Sequence, residues 1–217
     1  MSIRKKAAAV LTVFIFQVFV FSGIVCAEDA TTFGINIGSS EVQGWIDVQF
    51  DTNDIPLVMG ADILYNNDDG RYWLTSAHIA VKDELLMPQI DLGQALSLGL
   101  GFRGVLGEVK IHRADYDVGA FCFQFLGDYD FRKNSSPGLP SFFGLPVSIS
   151  LSLSGAPEIL CFSDTEKYVE FSTAFNFYIN KSAAAFIGYR RIDIDFDRHD
   201  DKNWDDDAVF AGIRISF

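Results

Sequence analysis

Ser76 and His78 are the first residues of this chain whose types suggest catalysis. They stand two apart, so on an extended strand both side chains lie on one face. A serine beside a histidine is the start of a nucleophile and its base. The sequence places no acid partner near them, and the favoured reading is a pair of polar residues filling an interior. His112 and His199 fall at strand ends or loops and read as solvated. An acidic run follows, with Asp197, Asp200, Asp201, Asp205, Asp206 and Asp207. Oxygen ligands at such spacing suit Ca²⁺. The alternating Asp-x-Asp-x-Asp with its glycine and closing Glu is absent, so a solvated charge run is the stronger reading. No cysteine and histidine spacing fits zinc, and Gly99-x-Gly101 lies inside a strand pattern rather than in a phosphate loop. The expectation is no catalytic residue, no cofactor, no metal and no enzyme.

Those residues must be held by some scaffold, and the N-terminus says where it works. Arg4, Lys5 and Lys6 precede an apolar stretch from Ala7 to Ile24, and Val25-Cys26-Ala27 ends it with small residues at the cleavage positions. Residues 1–27 read as a secretory signal peptide, with an uncleaved anchor helix as the alternative. The whole chain has 217 residues, with 17 Lys and Arg against 29 Asp and Glu. Removing the three basic residues of the signal leaves 14 against 29, a net charge of -15. That balance excludes a nucleic-acid binder, which needs a basic footprint. Cys122 and Cys161 remain, and whether they pair in an oxidising compartment is left open.

Residues 28–217 alternate with period two in runs of about ten residues. Val147, Ile149, Leu151 and Leu153 oppose Ser148, Ser150, Ser152 and Ser154 without exception. Val169, Phe171, Thr173, Phe175, Phe177 and Ile179 oppose Glu170, Ser172, Ala174, Asn176 and Tyr178. One face is large and Phe-rich, with 21 Phe in the chain; the other holds Gly, Ser, Gln, Asn and single charges. A soluble sheet with one wet face also alternates. The apolar faces are larger than a small sandwich core needs, and the small polar faces suit the inside of a membrane barrel. In hydrocarbon an unpaired backbone group costs several kcal/mol, so a sheet there must close. The predicted fold is all-β, a transmembrane antiparallel up-and-down β-barrel.

Strands are expected near 31–38, 41–51, 57–66, 71–82, 97–109, 115–130, 147–155, 167–180, 183–197 and 206–217, ten in all, with eight as the alternative. With both termini on the periplasmic side, external loops fall near 67–70, 110–115, 156–166 and 197–206. The turns at 52–56, 83–96, 131–146 and 180–182 share the side of the termini, and two of them are long for it. Within 183–197 the parity of Ile187 and Tyr189 is opposite to that of Ile192, Ile194 and Phe196. A bulge at Arg190-Arg191 would reconcile the two halves, as would an upper part standing above the membrane.

The inward face then carries Asp47, Asp62, Arg103, Glu170, Arg190 and Arg214. Opposite charges in a narrow lumen should pair, since a lone buried charge is costly. The chain ends with Ile213, Ile215 and Phe217 in alternation, an ending that resembles the signal by which outer-membrane barrels are taken up for assembly.

The hairpin Tyr65-Asn66-Asn67-Asp68-Asp69-Gly70, the strand Leu98–Val105, the segment Tyr168–Ile179, the Gly188-Tyr189-Arg190 strand and the terminal strand ending in Phe217 resemble the YfaZ family of outer-membrane protein precursors. The resemblance spans roughly 41–217, and this chain departs from it by its longer 131–146 stretch and its acidic final loop. It implies a signal peptide and an outer-membrane barrel, and it supplies no catalytic residue. The function expected is a small outer-membrane barrel, structural or porin-like, with a narrow or side-chain-filled lumen. A surface-recognition barrel acting through its loops is the alternative, and a barrel-type lipid hydrolase or protease is a third reading. The partners expected are outer-membrane lipid, lipopolysaccharide and the barrel-assembly machinery, after export and signal cleavage.

Overall fold

A computed structural model describes residues 30–52, 55–67, 71–84, 96–111, 114–131, 146–197 and 202–217. The strands are β1 (Ala30–Gly38), β2 (Glu41–Thr52), β3 (Ile55–Asn66), β4 (Tyr72–Glu84), β5 (Leu96–Ile111), β6 (Ala114–Asp130), β7 (Val147–Ala156), β8 (Cys161–Ser163), β9 (Thr165–Tyr178), β10 (Ala183–Phe196) and β11 (Lys202–Ser216). Neighbours in the chain pair antiparallel, and β1 pairs with β11 from Thr32↔Ser216 to Gly38↔Phe210. The sheet closes on itself, which leaves no open edge. Beyond β11, Phe217 and Thr31 exchange backbone hydrogen bonds of 2.9 and 3.2 Å.

Ten strands form the barrel, as the alternation predicted, and β8 is not an eleventh stave. It continues β7 upward after a short 3-10 turn at Glu158–Leu160, pairing with β6 at Val118–Ala120 above the point where β7 leaves off. The Phe162 ring lies over Gly119 on the outer surface, where a Cβ would come within 2.4 Å of it. The external loop expected near 156–166 is therefore part of the wall. The proposed signal segment, the stretches 85–95 and 132–145, and His112 and His199 lie outside the described residues.

Two expectations need correction. The final loop is shorter than 197–206, because β11 begins at Lys202 and takes Asp205, Asp206 and Asp207 into the strand. Asp205 and Asp207 face outward and are exposed, while Asp206 points inward beneath the Tyr72 hydroxyl, 2.6 Å away. An acid is tolerated inside because that donor meets it. The second correction concerns β10. Its register against β9 runs without a shift from Ala184↔Tyr178 through Arg190↔Ser172 to Asp195↔Lys167, and the one irregularity falls at Asp195/Phe196. There is no bulge at Arg190-Arg191.

What changes along β10 is the environment. Below Arg190 the lumen is polar and the outside apolar; above it the two are exchanged. Ile192, Ile194 and Phe196 point inward and are buried with Leu74, Val105, Val109, Val118 and Tyr168 in one apolar core. On the outside at the same level stand Lys167, Arg191, Asp193, Asp195 and Asp205. The same exchange runs along β5, where inward Arg103 is followed by inward Val105 and Val109. The end of the barrel away from the termini is thus dry inside and charged outside. The rest carries outward Ile35, Leu100, Phe102, Phe121, Phe123 and Ile213, all exposed.

Candidate functional site

The site assembles where the polar lumen meets the apolar core. Arg103 on β5, Asp62 on β3 and Glu170 on β9 are brought inward by strand parity alone, since each occupies an inward position of its strand. Arg103 Nη2 lies 3.1 Å from Asp62 Oδ2 and Nη1 lies 3.0 Å from Glu170 Oε2. Nε donates to Ser76 Oγ at 2.8 Å, and the Ser76 hydroxyl donates to Asp62 Oδ2. Tyr168 donates to Glu170 Oε2 at 2.6 Å. A guanidinium with two carboxylates and a hydroxyl around it satisfies its fork without water.

A second cluster adjoins it. Arg190 forms an ion pair with Glu41, both almost wholly buried. Its Nη1 also donates to Gln43 Oε1 at 2.7 Å, while Gln43 Nε2 donates to Asp62 Oδ1 at 3.1 Å. Gln43 thereby links the two arginine clusters. Tyr72 Oη stands 2.9 Å from Glu41 Oε2 and 2.6 Å from Asp206 Oδ2. A phenol has one proton to give, so it serves one acid at a time.

Of the six charges expected to pair, Asp62, Arg103 and Glu170 converge, and Arg190 joins them through Gln43. Asp47 faces His78, with Oδ1 and Nε2 3.5 Å apart. Among the described residues the expectation of an opposite-charge partner is not met at Arg214. It donates instead to the Tyr178 hydroxyl at 2.7 Å and lies over that ring, 5.2 Å from its centroid. The reason is position: Arg214 sits near the open end, where its inward neighbours across the sheet are Gly34 and Ala184, neither of which carries an acid. Glu41, Gln43, Tyr72 and Tyr168 were missed. Glu41 and Gln43 share the parity of Asp47, so that signal was present in the alternation of β2.

Ser76 and His78 do lie on one face, but their side chains turn to different partners. Ser76 is fixed between Asp62 and Arg103, whereas His78 turns to Asp47. Both sides of the serine hydroxyl are occupied. Among the described residues no cluster of three His, Cys, Asp or Glu is placed to hold a metal.

Below this network lies a cup of about 370 Å³ on the side of the termini, with Asp62, Arg103 and Glu170 among its lining residues. One wall is aromatic. Trp45 and Phe186 meet edge to face at 5.3 Å, and Phe186 meets Phe210 at 6.1 Å. Glycines make room for these rings: a Cβ on Gly34 would stand 2.0 Å from Trp45 Cζ2, and one on Gly188 would stand 2.5 Å from Phe210. The rest of the wall is polar: beside Phe186, Asn176 donates to Ser148 and Ser150 at 3.3 Å, and farther round Lys82 pairs Asp128 at 2.7 Å.

No protein-family model matches the chain, and no curated protein matches it. Among solved structures, the fold is similar to the crystal structure of Neisserial surface protein A, at 11% identity over 87% of this chain and 94% of that one, with a TM-score of 0.36. It is similar also to the KdgM porin, at 7% identity over 87% and 99%, with a TM-score of 0.39. Both identities are low, and the barrel assignment rests on the strand pairing of this chain itself. The resemblance to the YfaZ family stays at the level of residue pattern.

The side chains of Ile213, Ile215 and Phe217 all face outward and are exposed. Phe217 meets Phe33 edge to face at 6.2 Å across the closing seam. The terminal strand therefore presents an apolar outer stripe beside the joint that completes the barrel.

Proposed function

We propose that this chain is a small outer-membrane barrel with a closed lumen, structural rather than conducting. The observation that carries the reading is the apolar core that fills the far end. Tyr168 and Ile194 are 0% exposed there, directly above the Arg103 network. An ion would have to cross both a saturated salt-bridge layer and a dry plug. Support for a membrane setting comes from the outer surface. Its exposed Ile, Leu and Phe far exceed the patch a soluble monomer presents to water, and in a bilayer they face lipid tails. Export with cleavage after Ala27, lipid and lipopolysaccharide as surroundings, and handling by the assembly machinery through Ile213, Ile215 and Phe217 belong to the same reading.

The test is conductance. Mature protein, shown to be folded by a heat-dependent gel shift, is added to a planar bilayer. A silent membrane is expected; steady discrete openings would overturn the closed reading.

A non-enzymatic role fits the occupied Ser76 hydroxyl, and Ser76→Ala is expected to leave any esterase signal of the preparation unchanged. One observation favours a second reading, in which the far end recognises envelope or host molecules. The collar of Lys167, Arg191, Asp193, Asp195, Asn203 and Asp205 surrounds a shallow depression on the outer surface. Loss of whole-cell binding on neutralising Asp193 and Asp205 together would support it.

A further inference from the structure

We propose that the lumen cup binds a small organic cation with N–H donors, a primary ammonium group, held by Asp47 and the Trp45 ring. The inference does not depend on whether the barrel conducts.

The charges lining the cup are largely committed. Arg103 is taken by Asp62 and Glu170, Lys82 by Asp128, and Arg214 by the Tyr178 hydroxyl and ring. Asp47 is the exception among the described residues. Its one close polar neighbour is His78 at 3.5 Å, beyond an effective hydrogen bond, and its side chain is 33% exposed into the lumen.

The uncommitted hydrogen-bonding atoms point the same way. Asn36 Oδ1, Asp47 Oδ1 and Gln124 Oε1 are buried wall atoms without a hydrogen-bond partner among the described residues, Asp47 Oδ1 having only the ring of His78 at 3.5 Å, and all three are acceptors. The direction of Asn36, which is 3% exposed, is dictated by chemistry. Arg190 can only donate, so Gln43 must present its oxygen to it. Asn36 must then give its N–H₂ to that same oxygen, at 2.9 Å, which leaves its own oxygen free. A ligand suited to these atoms brings donors rather than acceptors.

Trp45 supplies the apolar side. It lies two residues from Asp47 on the same face of β2, and Gly34 and Phe186 fix its ring. A cation over an indole and beside a carboxylate gains from both. The volume, about 370 Å³, sits at the lower end of small-molecule sites, enough for a short aliphatic amine.

The test is isothermal titration of the mature protein, folded in an uncharged polyoxyethylene detergent at physiological salt, which screens exposed surface carboxylates. The probes are 1,4-diaminobutane, 1,4-butanediol and succinate, matched in chain length. Saturable one-site binding of the diamine alone is expected. Asp47→Asn should weaken it about tenfold or more, the loss of a charged hydrogen-bond partner. Trp45→Leu should weaken it while leaving the gel shift intact. If either variant fails to fold, the wild-type series still decides. Diol or succinate binding as well as the diamine, or no binding by any probe, overturns the proposal, as does a folded Asp47→Asn that binds unchanged.

Discussion

Arg103 and Glu170 meet across the lumen rather than along the wall. β6 and β7 separate their strands in the sheet, yet Nη1 and Oε2 are 3.0 Å apart. The pair therefore ties together two strands three places apart around the ten-strand ring, and its removal is felt on both. Arg103→Met leaves Asp62 and Glu170 without their cation. Breaking a buried pair in this way costs about 3–5 kcal/mol. Urea unfolding of the protein in lipid vesicles should show a loss of that order, and the triple change Arg103→Met, Asp62→Asn, Glu170→Gln should recover most of it. Equal stability of the single variant and the wild type would contradict the buried network.

Asp193 and Ile194 test the exchange of inside and outside along β10. They are consecutive, and their side chains lie on opposite surfaces. Ile194→Ala should cost about 2–5 kcal/mol, because it opens a cavity in the plug. Asp193→Asn, on the exposed collar, should stay within about 0.5 kcal/mol. A bulge at Arg190-Arg191 would reverse that ranking.

Gly34 is the bay for the Trp45 ring: a methyl carbon there would stand 2.0 Å from Cζ2. Gly34→Ala should force the indole off its rotamer, at about 1–3 kcal/mol. The same variant should alter the intrinsic fluorescence, whereas Gly104→Ala, with nothing within 4 Å of its Cβ, should change neither readout.

The two described cysteines, Cys122 and Cys161, are free thiols, with Cys122 buried. Burial pushes the Cys161 thiol up, so little thiolate is present at neutral pH, and the thiolate is the nucleophile. Iodoacetamide should add slowly to Cys161 in the folded protein at pH 7 and faster as pH rises. A second adduct, at Cys122, should appear on unfolding. Mass spectrometry counts the adducts; rapid double labelling of the folded barrel would refute the placement.

Much of this architecture could be read from the chain because strand parity is a local property. Ser148, Ser150, Ser152 and Ser154 announce an inward face without reference to any other strand, and Asp62, Arg103 and Glu170 follow by the same rule. Which acid meets which arginine could not be read, since that depends on the stagger between strands distant in sequence. β10 misled for a related reason. Ile192, Ile194 and Phe196 look lipid-facing when apolar is equated with outward, but that equation holds only within the membrane belt. Asp206 was hidden by its neighbours: an acidic run suggests a loop until Tyr72, 134 positions away in the chain, supplies the donor.

The charged collar has a consequence for the journey into the bilayer. Arg191, Asp193, Asp195, Asp205 and Asp207 decorate the end of the barrel away from the termini. In the outer-membrane setting proposed above, with the termini on the periplasmic side, they would pass through the apolar layer once, during assembly. After closure the return would drag fixed charges back through hydrocarbon, at up to about 2–4 kcal/mol for an arginine at mid-depth. The collar then works as a one-way latch: it sets how far the cylinder protrudes and opposes its retreat.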